Sequence, residues 1–232
     1  MIDASWNRIS TVDGSVGMRE VSRIHLNNNQ LTDLDWVTAF PKLQRLHVDD
    51  NRIKVLSLPP KAPKLLGLSI AHQSLAADER FTVTKAAMAL LGETLEDLDV
   101  SELRLEDVNF VSELPRLKSL TADGNAVKDA NGLSALVLLK ELTKVSLLDN
   151  PLARERQFME QVAVLCAELE QLNGQAMTPT QREFMRKLAR RREVRKRSPA
   201  KPAAIRVATA HYAQLRVSGK HQERTPRSPR LL

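Results

Sequence analysis

The chain of 232 residues has one cysteine, few aromatic residues and no long apolar run. Cys166 has no second cysteine to pair with, which excludes an internal disulfide and favours a reducing compartment. Residues 1–10 contain neither a basic segment nor an apolar core, so we expect no secretory signal. Apolar runs such as residues 162–167 are too short to span a bilayer. These absences predict a soluble intracellular protein with no membrane partner.

The positive charge is concentrated at one end. Residues 182–232 contain 16 Lys and Arg but only 3 Asp and Glu, whereas residues 1–181 contain 19 and 25. The tail therefore carries a formal charge of +13 and the body −6. Such asymmetry predicts that the tail meets a negatively charged partner, which could be nucleic acid, a tubulin surface or acidic lipid.

A polar residue recurs at a fixed interval near the start of the chain. The series consists of Asn7, Asn29, Asn51 and Gln73. The clearest apolar frames around it are Val21, Ile24, Leu26 and Leu31; Leu43, Leu46, Val48 and Ile53; and Leu65, Leu68, Ile70 and Leu75. This period and spacing are typical of leucine-rich repeats, which seldom house a reaction and commonly hold another macromolecule.

Further copies continue with interruptions. Their central residues are Leu98 and Val100, Leu120 and Ala122, and Val145 and Leu147, and Leu103 stands where the fifth asparagine is expected. The first copy is truncated, which suggests either a missing N-terminal cap or a start codon assigned too far downstream. We predict about seven repeats over residues 1–152, a helical cap over 153–181, and a basic helix followed by a disordered tail over 182–232.

The longest interval between copies contains a helical pattern. Thr82 is a suitable N-cap, and Gly92 is a suitable end. The predicted buried stripe is Val83, Ala86, Ala87, Leu90 and Leu91. We expect this helix near residues 82–92 on the convex side, and the prolines at 59, 60 and 63 predict an extended return before it.

The fold class predicted is an α/β solenoid with parallel strands on a concave face and short helices or irregular returns on a convex face. Residues between the inward-facing ones should line the concave face. The candidate partner-binding residues there are Arg23, His25, Arg45, His47, Asp49, Asp97, Asp99, Thr121, Asp123 and Lys144. The first half presents cations and the second half carboxylates, so we expect a protein partner with complementary charge, bound to a monomer.

Two other chemistries are considered for this face. His25, His47 and Asp49 could mimic a metal site, but a metal needs three or four ligands in fixed geometry. Asp97 and Asp99 could suggest acid–base catalysis, but an open face should leave their pKa values near normal. We therefore expect no catalytic residue, no metal and no cofactor.

The basic run near the end of the chain has two functional interpretations, electrostatic docking and nuclear import. Its residues are Arg190, Arg191, Arg192, Arg195, Lys196 and Arg197. Thr225 and Ser228 each precede proline among arginines, which makes them candidate phosphorylation sites whose modification would weaken docking.

The repeats resemble the SDS22-like subclass of leucine-rich repeats, found in type-1 phosphatase regulators, the U2 snRNP A′ protein and axonemal dynein light chains. A closer likeness covers about residues 20–197. It rests on residues 72–75, the insertion with Phe81, the segment 149–152 and the segment 182–184 before the basic run. This order is similar to the testis-type leucine-rich-repeat regulatory subunits of type-1 protein phosphatase.

The resemblance implies binding of the phosphatase catalytic subunit at centrosomes, basal bodies or axonemes. We therefore expect a non-enzymatic adaptor in the cytoplasm and cytoskeleton. A spliceosomal A′-like scaffold in the nucleus and an axonemal dynein subunit are the alternatives. The scarcity of aromatic residues argues against direct reading of RNA bases.

Overall fold

A computed structural model describes residues 1–13 and 18–197 of the chain. Residues 1–189 form one compact unit, and residues 190–232 form a second. Only residues 190–197, the last part of a helix, are described in the second unit. The predicted disorder of the tail lies outside the described residues, and the domain boundaries at 152 and 181 stay predictions.

Nine short strands form one sheet. Taken in sheet order they are β1 (Ile2–Asp3), β2 (Arg23–His25), β3 (Arg45–His47), β5 (Gly67–Ser69), β7 (Asp97–Asp99), β8 (Ser119–Thr121), β9 (Lys144–Ser146), β10 (Gln171–Leu172) and β11 (Gln175–Ala176). All neighbours are parallel except β10 and β11, which form a terminal hairpin. A sheet built from one strand per repeat needs no sequence-distant pairing, because each repeat returns the chain beside the strand it has just left.

The register follows the sequence frame. Ile24 of β2 lies beside Leu46 of β3, and Leu46 lies beside Leu68 of β5. These middle residues are buried, whereas the residues on either side of them are mostly half-buried or exposed. The alternation places a leucine-rich layer behind the sheet and leaves the other face open to a ligand. The fold is a leucine-rich repeat solenoid, as the period predicted.

Buried amides join each repeat to the one before it. The Asn51 side-chain nitrogen donates to the carbonyls of Leu26, Val48 and Asp49 at 2.9–3.0 Å, and its oxygen accepts the Leu31 N–H at 2.9 Å. Asn51 is fully buried, so these bonds satisfy backbone groups that water cannot reach. The equivalent buried residues, which we call the amide column, are Asn29, Asn51, Gln73, Asn125 and Asn150.

The amide column is interrupted at Leu103. This side chain is buried and apolar, and the Leu103 N–H donates to Asn125 Oδ1 at 3.1 Å. Asn125 also accepts the Leu105 N–H, so one amide serves two backbone donors here. Asn7 stands at the exposed end of the same series, where it bonds the carbonyls of Ala4 and Ser5.

Most convex returns are 3₁₀ turns. They span Asp35–Ala39, Asn109–Glu113, Ala130–Leu138 and Pro151–Arg154. Leu34, Val37 and Phe40 pack into the core around the first of them, as their spacing predicted. The return containing the three prolines is not helical, which agrees with the missing N–H of proline.

The insertion differs from its prediction in its first turn. Residues Thr82–Val83 form strand β6, which pairs with β4 (Val55–Leu56) in a second, two-stranded parallel sheet. Helix α1 therefore begins later and spans Lys85–Gly92, and its N-cap is Thr84, which accepts the Ala87 N–H at 3.2 Å. Thr82 as N-cap was wrong because its own N–H donates to the Lys54 carbonyl across the small sheet.

The later start also moves the buried stripe of α1. Ala87, Met88 and Leu91 are buried, whereas Ala86 is exposed. Gly92 is still helical and does not end the helix through a left-handed turn. A Cβ there would lie 2.2 Å from the Glu113 carbonyl oxygen, so glycine is needed for close packing against the next return.

The C-terminal cap has a helix and a hairpin. Helix α2 spans Phe158–Leu165, and Leu169 is buried beyond its end. Cys166 caps this helix and is fully buried, and burial raises the pKa of its thiol to about 12. The hairpin β10–β11, which the sequence did not predict as strands, turns at Asn173 and Gly174 with positive φ.

Helix α3 spans Pro179–Arg197. Thr178 Oγ1 accepts the Gln181 N–H at 3.2 Å, and Gln181 Oε1 accepts the Thr178 N–H at 2.9 Å. This reciprocal pair is a capping box, and proline fits the first turn because it has no N–H to satisfy. No helix among the described residues is both long enough and apolar enough to cross a bilayer.

Candidate partner-binding face

The parallel register arranges the predicted face residues in columns that run across the strands. The first column contains Arg23, Arg45, Gly67, Asp97, Ser119 and Lys144. The second contains Asp3, His25, His47, Ser69, Asp99, Thr121 and Ser146. Residues that are 22 to 30 positions apart in the sequence thus lie one strand apart, about 4.8 Å. We call this surface the strand face.

The two histidines of the strand face stack on each other. The ring centroids of His25 and His47 are 4.4 Å apart and the planes differ by 4°. Burial and repulsion from a charge on His25 lower the pKa of His47, and Asp49 offsets this only in part. At neutral pH His47 is therefore uncharged, because the ordinary pKa of histidine is already below 7.

An ion pair bridges the cationic and acidic halves of the face. Arg45 Nη1 lies 2.9 Å from Asp97 Oδ2, which means that the side chain crosses the intervening strand β5. Gly67 permits the crossing, since a Cβ there would lie 3.1 Å from Arg45 Nη1. Both partners are about two-fifths exposed, so the pair contributes little to stability.

The other acidic residues of the face are engaged in the sheet. Asp49 Oδ1 accepts the Ser69 hydroxyl at 2.6 Å and the Ala71 N–H at 2.8 Å. Asp123 Oδ1 makes the equivalent bonds to Ser146 and Leu148, both at 2.7 Å. A carboxylate with two such bonds is held in place on the strand face.

Asp99 differs from its prediction. Burial raises its pKa, and the nearby carboxylates of Asp49 and Asp123 add to the effect. The expectation of a normal pKa was wrong because a curved sheet shields the centre of its inner face from water. Asp99 Oδ1 accepts the backbone N–H and the hydroxyl of Ser101, so it is oriented within its own turn.

The C-terminal end of the face carries an exposed apolar residue. Leu148 is 45% exposed at a position where the other repeats place small or polar residues. It lines a groove of about 320 Å³ on the strand face with Thr121 and Lys144. It also lines a larger one of about 510 Å³, the cap groove, together with Phe158, Met159, Leu172, Met185 and Leu188. The sequence contained the signal in Leu148, but the cap groove depends on how α2 and α3 pack.

The structure brings together the predicted residues of each half. Within residues 1–13 and 18–197, no group of three or more His, Cys, Asp or Glu side chains has an arrangement that could hold a metal. The small hollow of about 150 Å³ over Gly67 is lined by Arg45, His47, Asp97 and Asp99. It is an open notch and not an enclosed pocket.

A further column was missed in the sequence. Residues that follow the strands adopt left-handed backbone conformations with φ of 50–63°. This left-handed column consists of Trp6, Asn28, Asp50, His72, Glu102, Gly124, Asp149 and Asn173. His72 hydrogen-bonds Asp50 through Nδ1 and has Nε2 3.7 Å from Glu102, and the hydrogen bond to Asp50 raises the pKa of His72. Asparagine, aspartate and glycine are enriched where φ is positive, which is the signal that could have revealed it.

The basic residues lie at the end of helix α3. Arg190, Arg191 and Arg192 are exposed. Arg195, Lys196 and Arg197 occupy the last helical positions, and their side chains lie outside what the structure describes. Thr225 and Ser228 also lie outside the described residues.

No family model matches the chain, and no curated protein is similar to it by sequence. Solved structures do match. A chain of the Drosophila melanogaster SNF/U2A′ complex is 19% identical, covers 80% of this chain and 78% of its own length, and has a TM-score of 0.35. An internalin (inlF) of Listeria monocytogenes is 18% identical over 75% of this chain and 47% of its own, with a TM-score of 0.49.

A third similar structure is the Mex67 leucine-rich repeat domain of Chaetomium thermophilum. It is 22% identical over 43% of this chain and 77% of its own, with a TM-score of 0.38. At such identities the likeness concerns the fold alone. The repeat geometry described above is what identifies the chain as a leucine-rich repeat protein.

Proposed function

We propose that the chain is a non-catalytic adaptor that holds a protein partner on its strand face. The observation that carries this proposal is the exposed Leu148 between two grooves at one end of an otherwise polar sheet. Apolar side chains surrounded by polar ones, next to concave surface, are typical anchors of protein interfaces. The sheet is rigid before binding, so the partner meets a surface that costs little entropy to order.

The finer proposal is that the partner is the catalytic subunit of type-1 protein phosphatase. It is supported by the resemblance to phosphatase regulators in residues 72–75, in the insertion and in residues 149–152. The insertion forms strand β6 and helix α1 on a return, which leaves the strand face unobstructed. A regulator of this kind would position the phosphatase at centrosomal, basal-body or axonemal microtubules.

The test is capture of the purified phosphatase catalytic subunit by the full chain and by Leu148→Asp. The charge would be placed where a partner excludes water, so we expect bound phosphatase to fall at least about tenfold. Val137→Asp is the matched control, because Val137 is 47% exposed on a 3₁₀ turn of the convex side. Equal capture by wild type and Leu148→Asp would contradict the proposed site.

Different outcomes separate the coarse proposal from the fine one. If no phosphatase binds, but another protein recovered from cells is lost in Leu148→Asp and kept in Val137→Asp, the adaptor role stands and the phosphatase is wrong. If that protein is a spliceosomal component and the chain is nuclear, the A′-like alternative replaces the phosphatase proposal. Enrichment with axonemal dynein would favour the third alternative.

The proposed role of the basic helix is to dock the adaptor on the acidic surface of microtubules. Arg190, Arg191 and Arg192 are exposed and consecutive, so they surround the helix with positive charge. Exposed cations attract a polyanion through long-range potential that salt screens. We expect the triple change to Gln to reduce co-sedimentation with microtubules by about tenfold at low salt, and less at high salt.

Two controls show whether the loss of co-sedimentation is electrostatic. Microtubules stripped of their acidic C-terminal tails should retain little of the wild-type chain. Thr225→Glu with Ser228→Glu should weaken co-sedimentation in the same direction as the arginine changes, because both reduce the net positive charge. Full sedimentation of a chain truncated after Lys196, and of the triple variant, would contradict the docking role.

A further inference from the structure

The N-terminal end of the strand face concentrates cationic and protonatable side chains on two adjacent strands. Arg23 and Arg45 are register partners, and His25 and His47 are register partners that stack at 4.4 Å. Stacked imidazoles lie close enough for a charge on one ring to lower the pKa of the other, as a charge on His25 does for His47. Protonating both rings of such a pair is unfavourable unless an anion lies close by.

Two carboxylates near this cluster are oriented by hydrogen bonds. Asp3 of β1 accepts the Ser5 N–H at 3.0 Å, which lowers the pKa of Asp3, and a charge on His25 adds to the effect. The Asp49 carboxylate that follows β3 is engaged with Ser69 and Ala71 of the next repeat.

The remaining strands contribute no further anion to the cluster. The next strand, β5, presents Gly67 and Ser69, which carry no charge. On β7, Asp97 is paired with Arg45 and Asp99 is bonded to Ser101. Within the described part of the chain, no carboxylate lies within 4.0 Å of a charged nitrogen of Arg23 or a ring nitrogen of either histidine.

We propose that Arg23, His25 and His47 form an anion site that receives the carboxylates of an acidic segment of the protein partner, and that binding takes up a proton at the histidine pair. This inference rests on the proposed function, because it describes the chemistry of what the strand face holds. It extends that function by naming a charged contact at the end of the face opposite to Leu148.

The charge of the site favours carboxylates. The lowered pKa of His47 leaves this ring neutral near pH 7, and Arg45 is paired with Asp97. Among the described residues, Arg23 is the arginine of the cluster that has no ion pair. A carboxylate carries one negative charge, and a guanidinium with two imidazole donors can satisfy it. A phosphate dianion would be desolvated without enough positive charge to compensate it.

Proton uptake gives the interaction a pH dependence with a definite sign. In the free protein the pKa of His47 is lowered, so this ring is neutral near pH 7. A bound carboxylate favours the protonated ring and raises that pKa. Affinity should therefore rise as the pH falls from 7.5 to 6.0, as long as the carboxylates of the partner stay ionised, which holds above about pH 5.

The experiment is NMR of the full chain labelled with ¹⁵N at histidine, titrated with the acetylated, amidated peptide of six glutamates. The imidazole signals of His25 and His47 should shift in a saturable way, with apparent affinity about tenfold higher at pH 6.0 than at pH 7.5. Because individual imidazoles are observed, peptide held by the basic residues 182–232 does not produce this signal. Six-lysine peptide should shift neither ring, and inorganic phosphate at matched charge should bind more weakly than the glutamate peptide.

Matched variants assign the effect to the named groups. Arg23→Gln should weaken the peptide about tenfold at both pH values, since Arg23 keeps its charge throughout. The double variant His25→Gln with His47→Gln should lose the pH dependence. Because it lacks both imidazoles, binding to this variant is measured from the backbone signals of β2 and β3. Lys85→Gln, which changes an exposed cation at the start of helix α1 outside the strand face, should change nothing. An unchanged His72 signal and thermal midpoint in each variant confirm that the fold is intact.

Failure of this inference is distinct from failure of the proposed function. If saturating glutamate peptide leaves both imidazoles unshifted, or if lysine peptide shifts them equally, the anion site is wrong. Loss of partner capture in Leu148→Asp would still support the adaptor in that case. If phosphate outcompetes the glutamate peptide, the site binds phosphate and the assignment to carboxylates is overturned.

Discussion

Asp49 and Asn51 both follow strand β3, one on the open strand face and the other in the buried amide column. Asn51 is fully buried and makes four hydrogen bonds, all to backbone groups of its own or the preceding repeat. Asp49 is half-buried and reaches the following repeat through Ser69 and Ala71. Both residues therefore connect repeats, but only Asp49 also carries a charge on the open strand face.

The difference shows which residues are available for binding. The carboxylates of Asp49, Asp99 and Asp123 are each held by hydrogen bonds to neighbouring residues. Arg23, the histidine pair, Lys144 and Leu148 are not committed in this way among the described residues, and they lie toward the two ends of the sheet. Hydrogen bonds thus orient the side chains at the centre, and the contacts that we propose for a partner lie at the ends.

Asn51→Ala should have the largest effect on stability. It leaves several buried backbone groups without a partner, so the free energy of unfolding should fall by about 3 kcal/mol. Equilibrium urea unfolding measures the change. Asn7→Ala is the matched control in the same series, and because Asn7 is exposed it should cost less than about 1 kcal/mol. Equal losses would mean that burial does not distinguish the two positions.

Asp99→Asn should act in the opposite direction. The raised pKa means that the protonated form of Asp99 stabilises the fold below its ordinary value of 3.8. This contribution is lost as the pH rises through the folded pKa. A neutral amide should therefore stabilise the protein at pH 7 by up to about 1 kcal/mol, measured by urea unfolding.

The advantage should disappear near pH 3.5, where the wild-type carboxyl is itself protonated. Asp97→Asn is the control on the same strand, and it should give no stabilisation because it breaks the pair with Arg45. A stabilisation by Asp99→Asn that is equal at both pH values would contradict the electrostatic cause.

His72→Gln tests the left-handed column. The hydrogen bond to Asp50 raises the pKa of His72, so its contribution is fully present below pH 6.5. That contribution is lost as the pH rises through the folded pKa. The His72 side chain is more than half exposed. Solvent screening therefore limits the loss on substitution to about 0.5 kcal/mol at pH 5.5.

At pH 9 the same substitution should be nearly neutral. Thermal unfolding of both proteins across this range gives the difference directly. A loss that grows with rising pH would contradict the sign assigned to this pair.

The ion pair of Arg45 and Asp97 should show the smallest effect. A double-mutant cycle with Arg45→Gln and Asp97→Asn should yield a coupling energy of about 0.3 kcal/mol, because both side chains are partly exposed. A coupling energy several times larger would show that the curved face shields its charges far more than the exposed fractions indicate.

Several features could be predicted because they are periodic and local. The strands around Ile24, Leu46 and Leu68 follow from the alternation of apolar residues. The recurring amide residue, Asn51 in the third repeat, predicts the turn that follows the strand. The capping box of Thr178 and Gln181 is equally local. The start of α1 could not be read in the same way, because Thr82 is withdrawn from the helix by the partner strand β4, which belongs to the preceding repeat.

The repeat, its register and the columns of side chains that the register aligns can be predicted from the sequence, because all of these follow from a fixed spacing along the chain. Which of those side chains remain available depends on how the repeats pack in three dimensions. The reach of Arg45 across Gly67, the engagement of Asp49 and the cap groove beside Leu148 depend on contacts between repeats. Such contacts are set by distances in space that no spacing in the chain encodes.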